Sequence, residues 1–240
     1  ILNENDFNLA NEFYLEEAKI IYGEDNNLTE DGLLKGIIYC LLTPMQNYSG
    51  QINGFESLLD ENKDIMIDLI DDKRKLGETL KDSGIIFHVR KASYIHNLHK
   101  KWDGKNVLQS INEGIKNDRD NEIHLRKNMI SEIKGFGEKT ASIFLRMCGA
   151  EFLIPVDSWM VEMLSFHGYP CEMPRTSVDR VRWGQEGVIS RKLRKRGLKG
   201  KPYREAEEYA FDLAEKYDVP GYLLQLAFWT KKSTYNMVEQ

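Results

Sequence analysis

The chain has 240 residues, 41% of them apolar, and a formal net charge of −5, which suits one two-lobed globular domain or two small ones with a proper core. No run of about 18 apolar residues occurs, which excludes a membrane-spanning helix, and Ile1-Leu2-Asn3-Glu4-Asn5-Asp6 lacks the basic start and apolar core of a secretory signal. The negative balance by itself argues against a nucleic-acid partner, because binding to phosphates draws on Lys and Arg.

Phe7, Leu9, Phe13, Tyr14, Ala18 and Ile21 recur near helical spacing and predict a helix from Phe7 to Tyr22, ended by Gly23. Thr29 is placed to cap a following helix, and the nearly all-apolar stretch Gly32 to Leu42 predicts that this helix is buried. Thr43-Pro44-Met45-Gln46-Asn47-Tyr48 interrupts it. Pro44 cannot continue a helix interior but suits a first turn, so a new helix is expected from about Gln46 to Leu59. Asn62 to Lys81 reads as a charged amphipathic helix or pair, with Ile65, Ile67, Leu69, Ile70 and Leu80 inward. Gly84-Ile85-Ile86-Phe87-His88 is a loop or short extended piece, and the next helix opens at Arg90-Lys91-Ala92-Ser93-Tyr94-Ile95. Arg90 and Lys91 either reach a phosphate or are plain surface cations. His96 and His99 share that helix without a third ligand nearby, so they are read as surface histidines rather than a metal site. Val107 to Ile115 predicts a short helix.

Glu122 to Ile133 predicts a helix with Leu125, Met129, Ile130 and Ile133 inward. Lys134-Gly135-Phe136-Gly137 then makes a tight turn, since both glycines can take positive φ without a Cβ clash. Glu138 opens a second helix through Ala141, Ile143, Phe144, Leu145 and Met147. The first N–H groups of such a helix point outward and suit a phosphate. The local reading is a helix–hairpin–helix that grips a nucleic-acid backbone without reading its sequence. Gly137-Glu138-Lys139-Thr140 echoes a nucleotide-binding G-K-T ending only faintly, because no glycine directly precedes the lysine and no strand precedes the turn.

Lys139 falls in the first turn of the second helix. Asp157, eighteen positions later, follows Pro155-Val156 and precedes another apolar helical run, so it reads as an N-cap. An amine and a carboxylate brought into one cleft are able to remove a base from DNA: the amine attacks the sugar C1′ and forms a Schiff base, and the carboxylate stabilises the developing positive charge. Lys139 alone reads better as the phosphate-contacting lysine of a non-catalytic hairpin module; its pairing with Asp157 turns the reading toward catalysis.

Beyond Asp157, residues 170–202 are broken by Pro170, Pro174, Gly184, Gly187, Gly197 and Gly200. The charge inverts there: Arg180, Arg182, Arg191, Lys192, Arg194, Lys195, Arg196, Lys199 and Lys201 lie between Arg175 and Arg204. Such segregation fits one DNA-facing surface; the alternative is a solvated basic loop. Tyr203 to Lys216 and Tyr222 to Trp229 predict the last two helices, separated by Pro220-Gly221. No strand-period pattern of useful length appears, so the fold class is all-α.

The hairpin and the lysine–aspartate pair resemble the helix–hairpin–helix DNA glycosylase superfamily, in its bifunctional glycosylase/AP-lyase branch. That branch carries G-x-G-x-K-x-A and then a V-D or similar pair at the spacing of Val156-Asp157 here. Lys139-Thr140-Ala141-Ser142-Ile143-Phe144-Leu145-Arg146 is most similar to the archaeal-type 8-oxoguanine DNA glycosylase/lyase group, and a weaker likeness extends over residues 37–59, 84–98 and 203–229. The resemblance implies a single two-lobed domain over 1–240, with a DNA-binding cleft between the lobes. Its helical bundle lobe spans about 30–150 and contains the hairpin; 1–29 with 151–240 make the second lobe, and 170–202 are a basic insertion.

The resemblance also implies residue roles. Lys139 and Asp157 are catalytic. Lys134, Gly135, Phe136, Gly137 and Arg90 hold the DNA backbone, and Met45, Gln46 and Asn47 fill the gap left by a flipped-out base. Gln225 and Trp229, four apart on the last helix, read that base's edge and face. No metal or organic cofactor is implied, apart from a monovalent cation at the hairpin carbonyls. Several superfamily members hold an iron–sulfur cluster with four cysteines after the aspartate; here only Cys171 follows Asp157, so none is expected. Cys40, Cys148 and Cys171 are scattered and odd in number, which points to a reducing compartment. The expected partner is damaged double-stranded DNA, bound by a monomer without a membrane, in the cytoplasm at the nucleoid or, in a eukaryote, in the nucleus. Two alternatives stay open: the same chemistry on another oxidised base, and a non-enzymatic DNA-binding module.

Overall fold

The computed structural model describes residues 2–23, 26–44, 46–115, 118–157, 160–161, 163–164, 167 and 198–238, with side chains through 231. Met45, Trp159, Cys171 and the basic residues from Arg175 to Arg196 therefore lie outside the described residues. The chain divides into two compact units, one of Glu16–Ala150 and one of Ile1–Leu15 with Glu151–Gln240. The division falls within α1 (Glu4–Tyr22), and Gly23, at φ 61, ends that helix as a left-handed glycine does.

The unit of residues 16–150 is built around α2 (Glu30–Leu42). Thr29 caps it, its Oγ1 accepting from the Gly32 N–H at 3.0 Å, and every residue from Ile37 to Leu42 is buried. α2 packs against α3 (Tyr48–Glu56), α6 (His88–Lys100), α7 (Gly104–Gly114) and α9 (Glu138–Met147). Each wholly buried Leu or Ile along it contributes about 1.5–3 kcal/mol. Glu17 accepts from Arg146 Nη2 and, at 3.2 Å, from the Tyr39 hydroxyl, so this buried charge is neutralised within the same unit. Cys40 and Cys148 are also buried here, and burial pushes both thiols well above their usual pKa, which leaves neither as a nucleophile.

Asn47, rather than Gln46, starts the third helix: its Oδ1 accepts from Gly50 N at 2.9 Å. That helix stops at Glu56, short of the expected Leu59, because Leu59 turns to form an isolated bridge with Ile65. The stretch from Asn62 to Lys81 resolves into a pair, α4 (Ile67–Asp71) and α5 (Lys73–Asp82), divided by Asp72, whose side chain caps α5. α7 and α8 (Arg119–Glu132) start three residues earlier than expected, capped by Asp103 and Asp118.

Two side chains on α6 overturn the surface readings. Lys91 is 3% exposed and donates to the Leu42 carbonyl at 2.6 Å, so it completes the C-terminus of α2 and does not reach a phosphate. Burial lowers its pKa from 10.5 to about 8. His96 is buried too, with Nδ1 2.9 Å from the Ile70 carbonyl, whereas His99 sits 3.1 Å from Asp71 Oδ1. Among the described residues no group of three His, Cys, Asp or Glu side chains is placed to hold a metal ion.

The other unit packs Ala10 of α1 with Ile154, Val156, Leu164, α10 (Lys201–Tyr217) and α11 (Gly221–Val238). Tyr203, Ala206 and Ala210 turn one face of α10 into this core, and Leu224, Ala227 and Phe228 do the same from α11. The last helix runs well beyond Trp229, because nothing after Gly221 breaks it. The described residues contain no strand, and none of their helices is long and apolar enough to cross a membrane.

Candidate active site

The hairpin joins α8 to α9 within the 16–150 unit. α8 closes when the Ile133 N–H reaches Met129 O at 2.9 Å, and Phe136 N then returns to Ile133 O at 3.1 Å. Phe136, 8% exposed, anchors the turn by packing against Phe144 of α9, ring centroids 6.0 Å apart. Gly135 has φ 108, and a Cβ there would lie 2.5 Å from the Tyr94 ring and 2.9 Å from Leu41 Cδ2. The turn is thus seated so tightly on α2 and α6 that any other residue would strain the backbone and displace Tyr94 or Leu41.

Gly137 is different. It is exposed with φ −126 and ψ −179, an extended conformation open to any residue, so only one of the two glycines takes the positive φ expected from the sequence. A Cβ on Gly137 would meet no protein atom within 4 Å. The fold itself makes no demand for glycine here. What its bare backbone provides is close approach from outside, at the start of a helix whose partial positive charge favours an anion. Gly137 also caps α9 without a side-chain acceptor, leaving that approach clear.

Lys139 lies in the first turn of α9, half-buried beside Glu138, while Thr140 through Met147 are all buried. The lysine is therefore carried on a rigid, core-anchored helix within two residues of the anion-accepting backbone. Lys134, on the α8 side of the turn, is exposed.

Asp157 belongs to the other unit. Its Oδ1 accepts from Met160 N at 2.9 Å and its backbone carbonyl accepts from Val161 N at 3.0 Å, the geometry of an N-cap. The strand-like run before it is clasped from α10. The Tyr203 hydroxyl donates to Ile154 O at 3.0 Å and accepts from Val156 N at 3.1 Å, and Glu207 Oε1 accepts from Ile154 N at 3.2 Å. Tyr203 and Glu207 are both buried. These two positioning residues escape sequence reasoning, since they lie some fifty positions away and read as ordinary members of an amphipathic helix.

Gln225 and Trp229 sit on α11 in the same unit as Asp157. Gln225 is 8% exposed, and the half-buried Trp229 packs against Phe13 with ring centroids 4.8 Å apart. Gln46, in the other unit, donates from Nε2 to Gly84 O at 3.2 Å and accepts at Oε1 from Ile86 N at 2.9 Å. Its amide thus pins the loop before α6 as a neighbouring strand would. That loop and the first turn of α6 carry a feature absent from the predicted site: Ile86, Phe87 and Val89 are 49%, 53% and 65% exposed. Phe87 also holds φ 58 and ψ 31, a left-handed conformation that costs a side chain about 1–2 kcal/mol. The Arg90 guanidinium lies 5.9 Å from its ring centroid, a cation–π distance. The signal was present in the sequence as an apolar Ile-Ile-Phe run inside a loop, of which the fold buries Ile85 and leaves Ile86 and Phe87 outside. An exposed, strained aromatic beside a cation is equipped to enter a base stack.

Known proteins resemble this chain in sequence and in fold. Residues 17–198 match the 8-oxoguanine DNA glycosylase family. The 8-oxoguanine DNA glycosylase/AP lyase of Methanocaldococcus jannaschii is 27% identical over 150 residues, 62% of this chain and 66% of the relative's length. The protein of that name from Korarchaeum cryptofilum is 25% identical over 171 residues, 71% and 75% of the two chains. The fold is that of the M. jannaschii glycosylase/lyase solved with a 15mer DNA containing 8-oxoguanine, with a TM-score of 0.66 at 20% identity over 93% of this chain and 91% of that one. The 8-oxoguanine DNA glycosylase of Thermotoga maritima gives 0.64 at 21% identity, over 94% and 89%.

Proposed function

The chain belongs to the 8-oxoguanine DNA glycosylase family, and we propose that it excises 8-oxoguanine from duplex DNA and then cuts the strand, using Lys139 and Asp157. The observation that carries this reading is the family match over 17–198, which takes in the hairpin, the lysine and the aspartate together.

The target base first leaves the stack, at a cost on the order of a few kcal/mol. The Ile86–Phe87 tip, together with Met45, Gln46 and Asn47, offsets that cost by occupying the vacated space. Gln225 donates to and accepts from the purine edge, and Trp229 presents a ring to its face. The hairpin backbone and Arg90 hold flanking phosphates. The neutral Lys139 amine attacks C1′ as the C1′–N9 bond breaks; the electron pair departs with the base, which takes up a proton. Asp157, ionised and supported by the helix it caps, stabilises the positive charge that builds on the sugar. The sugar ring opens to a protonated imine, which acidifies C2′. Loss of that proton expels the 3′ phosphate by β-elimination, and water then releases the lysine. An amine, a carboxylate and water suffice for every step.

The test is borohydride reduction during turnover on a duplex bearing 8-oxoguanine. The wild-type chain is expected to become covalently linked to DNA, and Lys139→Gln is not. An adduct of equal yield from Lys139→Gln removes the lysine from this role, and absence of any adduct with a panel of oxidised-base duplexes leaves a non-enzymatic DNA-binding module.

A further inference from the structure

We propose that the groove between α5 and the start of α6 is a second duplex-DNA backbone site, apart from the hairpin. The groove encloses about 480 Å³ and is bordered by Lys73, Arg74, Lys81 and His88, with Gly77 and Val89 on its floor. In a chain of net charge −5, this gathers three lysine or arginine side chains against one acid, Glu78.

Three independent features point to an anionic occupant. Lys73, Arg74 and Lys75 fill the first turn of α5, which contains no acid. The Asp72 carboxylate that caps α5 and the Glu78 carboxylate, 3.8 Å from Arg74, offset part of this charge, yet the three successive cations still outnumber the two acids beside them. Gly77 lies in the middle of α5, where glycine weakens a helix, yet a Cβ there would touch only Ala92 Cβ at 3.8 Å. Packing does not ask for the missing side chain; an unobstructed groove floor does. Finally, His88 and Val89 continue directly from Phe87, whose exposed ring and neighbouring Arg90 already point to a nucleic-acid contact. A polyanion following that loop meets Lys73, Arg74 and Lys81 next. Exposed cations on a stem of methylenes, over an apolar floor, grip phosphates without selecting sequence.

The proposal rests on the DNA-binding part of the reading above but not on its chemistry, and the experiment separates the two. Lys73→Ser, Arg74→Ser and Lys81→Ser are combined; all three residues are exposed, so their truncation leaves the core untouched. Affinity for a 30-base-pair duplex with an abasic analogue is measured by fluorescence anisotropy against salt. The triple variant is expected to bind about 10–30-fold more weakly at moderate salt, with the log–log salt slope reduced by about 2–3, as for two or three lost phosphates. Glu78→Gln is expected to bind more tightly than the wild-type chain. The single-turnover rate of strand cutting at saturating enzyme stays at the wild-type value. An unchanged affinity and slope overturns the proposal, as does a loss of binding to polyglutamate with duplex affinity intact, which assigns the groove to an acidic protein. A wild-type chain that never cuts damaged DNA, yet loses duplex affinity in the triple variant, rejects the catalytic reading and keeps this one.

Discussion

Replacing each hairpin glycine by alanine separates what the fold requires from what a ligand requires. At Gly135, alanine must hold φ 108 and place its Cβ 2.5 Å from Tyr94 Cδ2 and 2.9 Å from Leu41 Cδ2. The left-handed backbone costs about 1–2 kcal/mol, and forced overpacking adds about 1–3 kcal/mol. A total of about 3 kcal/mol lowers the melting temperature by about 6–12 °C for a chain of this size. At Gly137 the backbone is already suitable and the surrounding space is open. The loss of a tolerable cap and the gain from a less flexible unfolded chain nearly cancel there, within about 0.5 kcal/mol. The new methyl instead holds a phosphate off the α9 N–H groups. Losing one charge-assisted hydrogen bond, about 1.5–2 kcal/mol, weakens duplex binding about 10–30-fold. Thermal melting and anisotropy with an abasic-analogue duplex read the two effects independently. Equal melting losses in both variants, or undiminished binding by Gly137→Ala, refutes this division of labour.

The remaining predictions test single side chains. Asn caps a helix as well as Asp, so Asp157→Asn should melt within about 2 °C of the wild-type chain while base excision in single turnover slows by about 10²–10³-fold; a parallel loss of melting temperature would reduce the aspartate to a cap. Lys91 titrates near 8 when folded and near 10.5 when unfolded, so the unfolded chain holds the extra proton between those values and stability rises with pH there. Relative to Lys91→Met, the wild-type chain should gain on the order of 2 kcal/mol between pH 8 and 10.5 and nothing below that window, as read by denaturant unfolding; parallel profiles contradict the burial argument. Tyr203→Phe removes the hydroxyl that joins Ile154 O to Val156 N, and should cost about 2 kcal/mol, or 4–8 °C. It should also slow base excision more than strand cutting at a preformed abasic site. A variant with wild-type excision would show that the clasp does not position Asp157.

The sequence is informative where a local cap stands directly before an apolar run: Thr29 and Gly32, and Asp157 and Met160, lie three positions apart and are legible as caps. Asn47, Asp103 and Asp118 cap just as locally but are not marked by the apolar pattern, so those helix starts differ from expectation by two or three residues. Lys139 is legible too, since its place in the first turn of α9 follows from the two glycines before it. What was hidden depends on distant partners. Lys91 looks like a surface cation until α2 ends against it, 49 residues away in sequence. His96 looks exposed until the Ile70 carbonyl is brought to its ring. The hairpin glycines look equivalent until Tyr94 and Leu41 close on one and leave the other bare. Phe87 reads only as part of a loop, because a bulky side chain in left-handed backbone has no local sequence preference to announce it.

The clasp on Asp157 bears on how freely this protein can vary. Both anchoring side chains arrive from α10, on the far side of residues 158–200, and they seize Ile154 and Val156 rather than anything in between. The clasp fixes residues 154–156 from α10 alone, whereas the cap draws on Met160 and the core on Val161 and Leu164. Sequence between Asp157 and α10 can therefore change without unseating the carboxylate only where those three positions are spared.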